Sequence, residues 1–214
     1  PSRQFPTGAC MPLARRIALI KTANAARAWI VEDDYDSEFR YTRPPMPSLH
    51  SLDSSRRVIY LGTMSKVLFP SLRIGYVVLP PELMDAFGEL RTIADDHGPL
   101  IDQATLAEFI TTGAFYSHIR RCRKHYAIRL DTFLTTAAAA GLPLEFRHTD
   151  GGMNLLGSWK SPPAASDEAI TAKLLEHGFD VAPLSKYTVA STMRGLVFGF
   201  AALHANDVLL ALVA

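Results

Sequence analysis

RVIYLGTMSKVLFPSLRIGYVVLP, residues 57–80, is the stretch from which the architecture is best read. Four consecutive apolar residues, Val58 to Leu61, run into a polar turn at Thr63 to Lys66. An apolar run without alternation marks a parallel strand whose two faces are both covered by helices. RIGYVVLP, from Arg73, reads as a third strand of this kind, because WIVEDDYD (29–36) supplies an earlier one: Trp29, Ile30 and Val31 end abruptly in acids. Ahead of it, Leu13, Ile17 and Ile20 recur at helical spacing. The opening PSRQFPTGACMP, with its PTG turn, is a loop leading into that helix. RYTRPPMPSLHSLDSS (40–55) reads as proline-rich loop, and PPELMDAFGELRTI (80–93) as a helix with proline in its first turn. Helix, strand, loop, strand, strand and helix in this order predict an α/β fold.

The second half has a different character. Phe115, Ile119, Cys122, Tyr126, Leu130, Phe133 and Ala137 step by three or four, which predicts a long helix from Ala114 to Ala140, ended by Gly141 and Pro143. LEFRH and GMNLLGSW follow as strand candidates, then a helix capped by Ser166 with Asp167 and Glu168 in its first turn, then a strand in GLVFGFAAL. The pattern predicts one domain over 1–113 and a smaller α+β domain over 114–214, attached through the long helix.

Composition narrows the function. The 214 residues are 48% hydrophobic and 20% charged, and 22 basic against 21 acidic residues leave a net charge of +1. A chain whose main task was gripping nucleic acid would carry a basic excess. Cys10 and Cys122 lie far apart, so neither a disulfide scaffold nor a Cys-rich zinc module is expected, and a reducing cytoplasm fits. No apolar run approaches the ~20 residues of a membrane span. His97, His118 and His125 lack metal-ligand spacing, and no metal is expected. The cluster Arg120, Arg121, Arg123 and Lys124 flanks the apolar stripe of the long helix and reads as a solvated face. The chain starts at Pro1 and stops in the apolar VLLALVA, which reads as a piece of something longer.

Three features carry chemistry. Lys66, in GTMSK after an apolar strand, stands where α/β folds place their ligands, and a desolvated amine there can condense with an aldehyde. Asp33 and Asp34 are adjacent carboxylates at a strand end; one of them beside a pyridine nitrogen would keep that nitrogen protonated. Arg73, seven residues after Lys66, can clamp a phosphate bidentately, with hydroxyl donors from Thr63 and Ser65. Taken singly, each also has a plain reading: a surface lysine, a capping acid pair, loop side chains bonded to backbone.

Together, PSRQFPTGACMPLARRIALI, WIVEDDYDSEFRY, RVIYLGTMSKVLFPSLRIGYVVLP and GLVFGFAAL resemble the effector domain of MocR-type regulators, a subgroup of the GntR transcription-factor family. The resemblance covers nearly the whole chain and is densest from Pro1 to Leu79. It implies a fold-type-I, aspartate-aminotransferase-like, pyridoxal-phosphate-dependent α/β fold: a partial large domain plus a smaller α+β C-terminal domain. Lys66 would form the internal aldimine with pyridoxal 5'-phosphate, Asp33 would face the ring nitrogen, and Tyr35 the phenolic oxygen. Arg73, with Ser65 or Thr63, would hold the phosphate, and Arg194 in STMRGLVFGF is the nearest match to the family's effector-carboxylate arginine. The implied function is sensing: a small amino compound forms an aldimine with the cofactor and controls DNA binding by a winged helix outside this chain, in a cytoplasmic homodimer. The alternative is a class I/II aminotransferase that completes a half-reaction, and the resemblance favours regulation over catalysis. The chain departs from the family at Arg3, where histidine is usual before Gln4, and at Asn154, where histidine is common. Both departures bear on effector recognition.

Overall fold

A computed structural model of the chain describes residues 1–202 except 43, 45, 148, 162 and 190–192. The last residue of GLVFGFAAL, the His148 end of LEFRH and the apolar VLLALVA lie outside the described residues. The chain forms two compact units. The first comprises Pro1–Ser2, Cys10–Glu38 and residues 44–120; the second takes Arg3–Ala9, the described part of 39–43 and the described residues from Arg121 onward.

In the first unit, α1 (Leu13–Ala25) leads to β1 (Ile30–Asp34), a single helical turn α2 (Leu49–Leu52) and β2 (Val58–Thr63). β3 (Gly75–Val78), α3 (Met84–Asp95) and α4 (Leu100–Thr111) follow. The sheet order is β1-β2-β3. β1 and β2 run parallel, with Ile30 opposite Val58 and Asp34 opposite Gly62. The chain from Leu49 to Leu52, expected to be loop, is helical because Ser48 accepts a hydrogen bond from Ser51 N and caps it.

Three expectations for this sheet need correction. β3 pairs antiparallel with β2, Thr63 opposite Gly75 and Tyr60 opposite Val78, so it is not a third parallel strand. The connection from Met64 to Ile74 holds only a 3-10 turn at Pro70–Leu72, too little for the crossover that parallel pairing requires. Nor is the sheet buried on both faces. Ile20, Leu49, Val58 and Ile30 pack together on one face, whereas Val31, on the other, is 61% exposed. β1 also does not stop at its acids: Glu32, Asp33 and Asp34 all belong to the strand.

The 26-residue α5 (Ala114–Ala139) crosses from one unit to the other between Arg120 and Arg121. Its apolar stripe matches the predicted one, with Ile119, Leu130, Phe133 and Ala137 buried. Gly141, at φ +64°, ends it in the left-handed conformation, and Leu142 N–H reaches back to Ala137 O. In the second unit β4 (Leu144–Phe146), β5 (Asn154–Trp159), β6 (Ala182–Pro183) and β7 (Gly195–Gly199) form an antiparallel sheet of order β4-β5-β7-β6. α6 (Asp167–Glu176) is capped by the Ser166 hydroxyl, which accepts from Ala169 N. Leu130 and Phe133 of α5 pack on Leu155, Leu196, Phe198 and Phe200, while Leu156, Leu184 and Val197 form a smaller cluster. Strand residues 195–198 are all buried, which is why that segment reads as an unbroken apolar run.

Candidate functional site

The topology of the first unit gathers six of the seven sequence-predicted site residues at one end of its sheet. β1 and β2 are parallel and in register, so Asp33 and Tyr35 arrive at the same end as Thr63, Ser65 and Lys66. β3 starts from that end, since Gly75 pairs with Thr63, and Arg73 lies two residues before it. In open α/β sheets ligands bind beyond the carboxyl ends of the parallel strands.

Strand alternation sorts the three acids of β1. Glu32 and Asp34 share the face of Tyr60; Asp33 shares the opposite face with Val31, Leu61 and Thr63. Glu32 is 1% exposed, and its carboxylate accepts from Leu49 N at 2.9 Å and His50 N at 2.8 Å, capping α2. Asp34 accepts from Tyr60 OH at 2.8 Å and from Ser37 N at 3.3 Å. Burial, and then the hydrogen bond to Asp34, push the Tyr60 phenol well above its ordinary range; burial does the same to the neighbouring Tyr76. Glu32 and Asp34 are thus committed to structure, and Asp33 is the carboxylate presented on the exposed side.

Lys66 is exposed on a constrained loop. Met64 N donates to Ile74 O at 2.9 Å, Leu68 N to Met64 O at 2.9 Å and Ser65 N to Thr63 Oγ1 at 3.1 Å. Arg73 is exposed and sits in the left-handed region, φ 51° and ψ 31°, as it ends the turn at Pro70–Leu72. Two cations and two hydroxyls stand at one strand end, and a carboxylate stands on the adjoining strand. Such a donor set fits a ligand with a phosphate, a basic ring nitrogen and a carbonyl that an amine can attack. The residues of this chain therefore suit pyridoxal phosphate.

The seventh is Arg194. It lies in the second unit, exposed, immediately before β7. There the structure brings together Arg3 and Asn154, the two positions at which the chain departs from the family pattern. The Arg3 guanidinium donates to Asn154 O, and Tyr41 OH donates to Gly152 O. Gly152, at φ +85°, leaves the space that Arg3 fills, and a Cβ there would collide with the guanidinium. Sequence reasoning missed this contact, which joins residues 151 positions apart. Among the described residues no group of three or more His, Cys, Asp or Glu could hold a metal ion, and no helix is long and apolar enough to cross a membrane.

A three-stranded sheet with this strand-end set of acid, lysine and arginine defines an aminotransferase-like chain of the pyridoxal-phosphate class. Residues 4–207 match the family model for aminotransferase class I and II, and the chain belongs to that family. Among curated relatives it is 39% identical over 205 residues to the probable rhizopine catabolism regulatory protein MocR of Rhizobium meliloti, covering 94% of this chain and 41% of that protein. It is 37% identical over 210 residues to the uncharacterized HTH-type transcriptional regulator YdeL of Bacillus subtilis, covering 97% and 45%. Among solved structures, the alpha-aminoadipate aminotransferase LysN of Thermus thermophilus, complexed with N-(5'-phosphopyridoxyl)-L-leucine, superposes with a TM-score of 0.87 at 27% identity, covering 100% of this chain and 55% of that one. The chain thus spans less than half the length of these two regulators. The resemblance to MocR-type regulators and the fold-type-I α/β architecture both hold, and they imply pyridoxal phosphate as the cofactor.

Proposed function

We propose that these 214 residues are the cofactor-binding, effector-sensing part of a MocR-type regulator of the GntR family. The observation that carries this reading is the convergence of Asp33, Lys66 and Arg73 at one end of the β1-β2-β3 sheet, in a chain whose curated relatives include HTH-type regulators. When bound, pyridoxal phosphate supplies an aldehyde for an amine and a ring that withdraws electrons. Lys66 Nζ would be the amine that attaches it. The Arg73 guanidinium would hold the phosphate, and the Thr63 and Ser65 hydroxyls would add donors to the same charge. Asp33 would hold a proton at the ring nitrogen, and the Tyr35 phenol would serve the ring's phenolic oxygen. Lys66 would be the amine that an incoming amino compound displaces, and Arg194 would be the candidate partner for that compound's carboxylate. A sensor requires that the two ligation states favour different conformations of the whole protein. DNA is addressed by a winged helix carried outside these residues, in a cytoplasmic homodimer. On this reading residues 1–113 supply part of the large domain and 114–214 the connecting helix and small domain, apart from Arg3–Ala9 and the described part of 39–43, which join the second unit.

The competing reading is an aminotransferase, favoured by the superposition on LysN. One experiment on the full chain separates the two. Amino donors should change both DNA affinity and the cofactor's absorption without sustained conversion of a keto acid; steady turnover decides for the enzyme. Within the same protein, Lys66→Ala should abolish the borohydride-trapped covalent adduct seen by mass spectrometry while circular dichroism stays unchanged. Asp33→Asn should weaken cofactor affinity roughly tenfold or more, since a hydrogen bond to a charged group is worth about 1.5–3 kcal/mol. An adduct that persists in Lys66→Ala removes Lys66 from its role.

A further inference from the structure

α5 contributes a residue to the lysine loop. His118, in the second turn of that helix, places Nε2 2.8 Å from the carbonyl oxygen of Val67, the residue after Lys66. A carbonyl can only accept, so Nε2 carries the hydrogen and donates it. Val67 is 2% exposed, so its side chain plugs into the unit, while Lys66 beside it is exposed. The ring of Phe109, from α4, stands 6.4 Å from the His118 ring, centroid to centroid.

The other bonds that shape this loop are local: Ser65 to Thr63, Leu68 to Met64, and Met64 to Ile74. They set the loop's curl. The bond from His118 spans 51 residues and reaches the loop from a different element. Lysine is a long stem with several rotatable bonds, so where its amine can go depends on how its backbone is aimed. The Val67 carbonyl belongs to the peptide that joins Val67 to Leu68, one peptide beyond Lys66; holding it fixes the path of the loop from which Lys66 projects, and a misplacement of about 1 Å at a reacting group can cost about a hundredfold in rate.

We propose that His118 is a positioning residue for Lys66, setting the aim of its amine through the carbonyl of Val67. The proposal rests on Lys66 being the cofactor lysine. Three variants of the full chain test it: His118→Leu, which fills similar space without a donor, His118→Gln, whose amide can donate from nearly the same place, and Lys66→Ala as reference. Hydrogen exchange across residues 64–68 is followed without cofactor, and affinity for pyridoxal phosphate and its bound absorption maximum are followed with it. His118→Leu should exchange faster across the loop, shift the absorption maximum and lose about fivefold in affinity, as expected for one lost hydrogen bond. His118→Gln should restore most of all three, and the melting temperature of the cofactor-free protein should not track them. Unchanged exchange in His118→Leu, or His118→Gln as impaired as His118→Leu, overturns the assignment to His118. Wild-type protein that takes up no pyridoxal phosphate, or a Lys66→Ala spectrum identical to wild type, overturns instead the reading on which it rests.

Discussion

The two units bury different kinds of residue. The second has a large hydrocarbon core: Phe133, Phe198 and Phe200 meet Leu130, Leu155 and Leu196, with Phe133 and Phe198 rings 5.3 Å apart. The first has a small apolar cluster at Ile20, Leu49 and Val58 and places charged groups in its interior. Arg16 is wholly buried and donates to the carbonyls of Met11, Pro47 and Pro1. Glu32 is buried on the backbone of α2. Apolar packing is non-directional and tolerates repacking, whereas a buried charge demands its partners in place. Both units use such contacts, Asp167 being the buried charge of the second, but the unit that carries the cofactor residues has more of them, at Arg16, Glu32 and Asp36.

If that contrast is right, the largest loss should come from the hydrocarbon side. Phe133→Ala should cost about 3–5 kcal/mol, by cavity formation, in the unfolding of the full chain. Cofactor affinity below the melting transition should hardly change, because no cofactor residue lies in that core. Glu32→Ala should cost about 1–3 kcal/mol, leaving Leu49 N and His50 N without their acceptor. Here cofactor affinity should fall with stability, since Glu32 is next to Asp33; a variant that loses stability alone would erase the contrast.

The smallest effect is a pH dependence in the second unit. Burial raises the Asp167 carboxyl, but hydrogen bonds from Ser185 N at 2.9 Å and Gly195 N at 3.3 Å outweigh it and hold the group below its usual range. A carboxyl lowered by folding adds stability above its unfolded value, and that stability is lost as pH falls through the folded one. Asp167→Asn should therefore flatten part of the acid limb in a stability-against-pH profile. A profile with wild-type slope would show that Asp167 titrates alike in both states.

The amino-acid pattern exposed much of this architecture because the informative segments are local. The helical stripe of α5, the Ser166 cap and the turn at Thr63 to Lys66 each announce themselves within a few residues. β3 did not, because an apolar run looks the same in either direction and its antiparallel pairing follows from the short connection before it. α4 escaped notice because Leu100, Ile101, Leu106, Phe109 and Ile110 are scattered around the helix and leave no polar face to contrast with. Of the candidate site, residue identities were legible but their partners were not. Nothing in EDD tells which acid will cap α2, which will take Tyr60 and which will face outward; alternation along β1 tells it only once the strand is known to include all three. The contact of Arg3 with Asn154 depends on Gly152, and chain closure over that distance leaves no local trace.

The run of three acids in β1 also acts as a register lock. Side chains in a strand change face at every residue, so a slip of one position would replace Asp33 on the outward face with Glu32 or Asp34. A carboxylate would still be presented, and chemistry alone would not detect the error. The slip would, however, pull Glu32 from the two amides of α2 and Asp34 from Tyr60 at once. The back of the strand thus proofreads its front: of three similar side chains in a row, only one alignment lets the outer two find their donors, and that alignment presents Asp33.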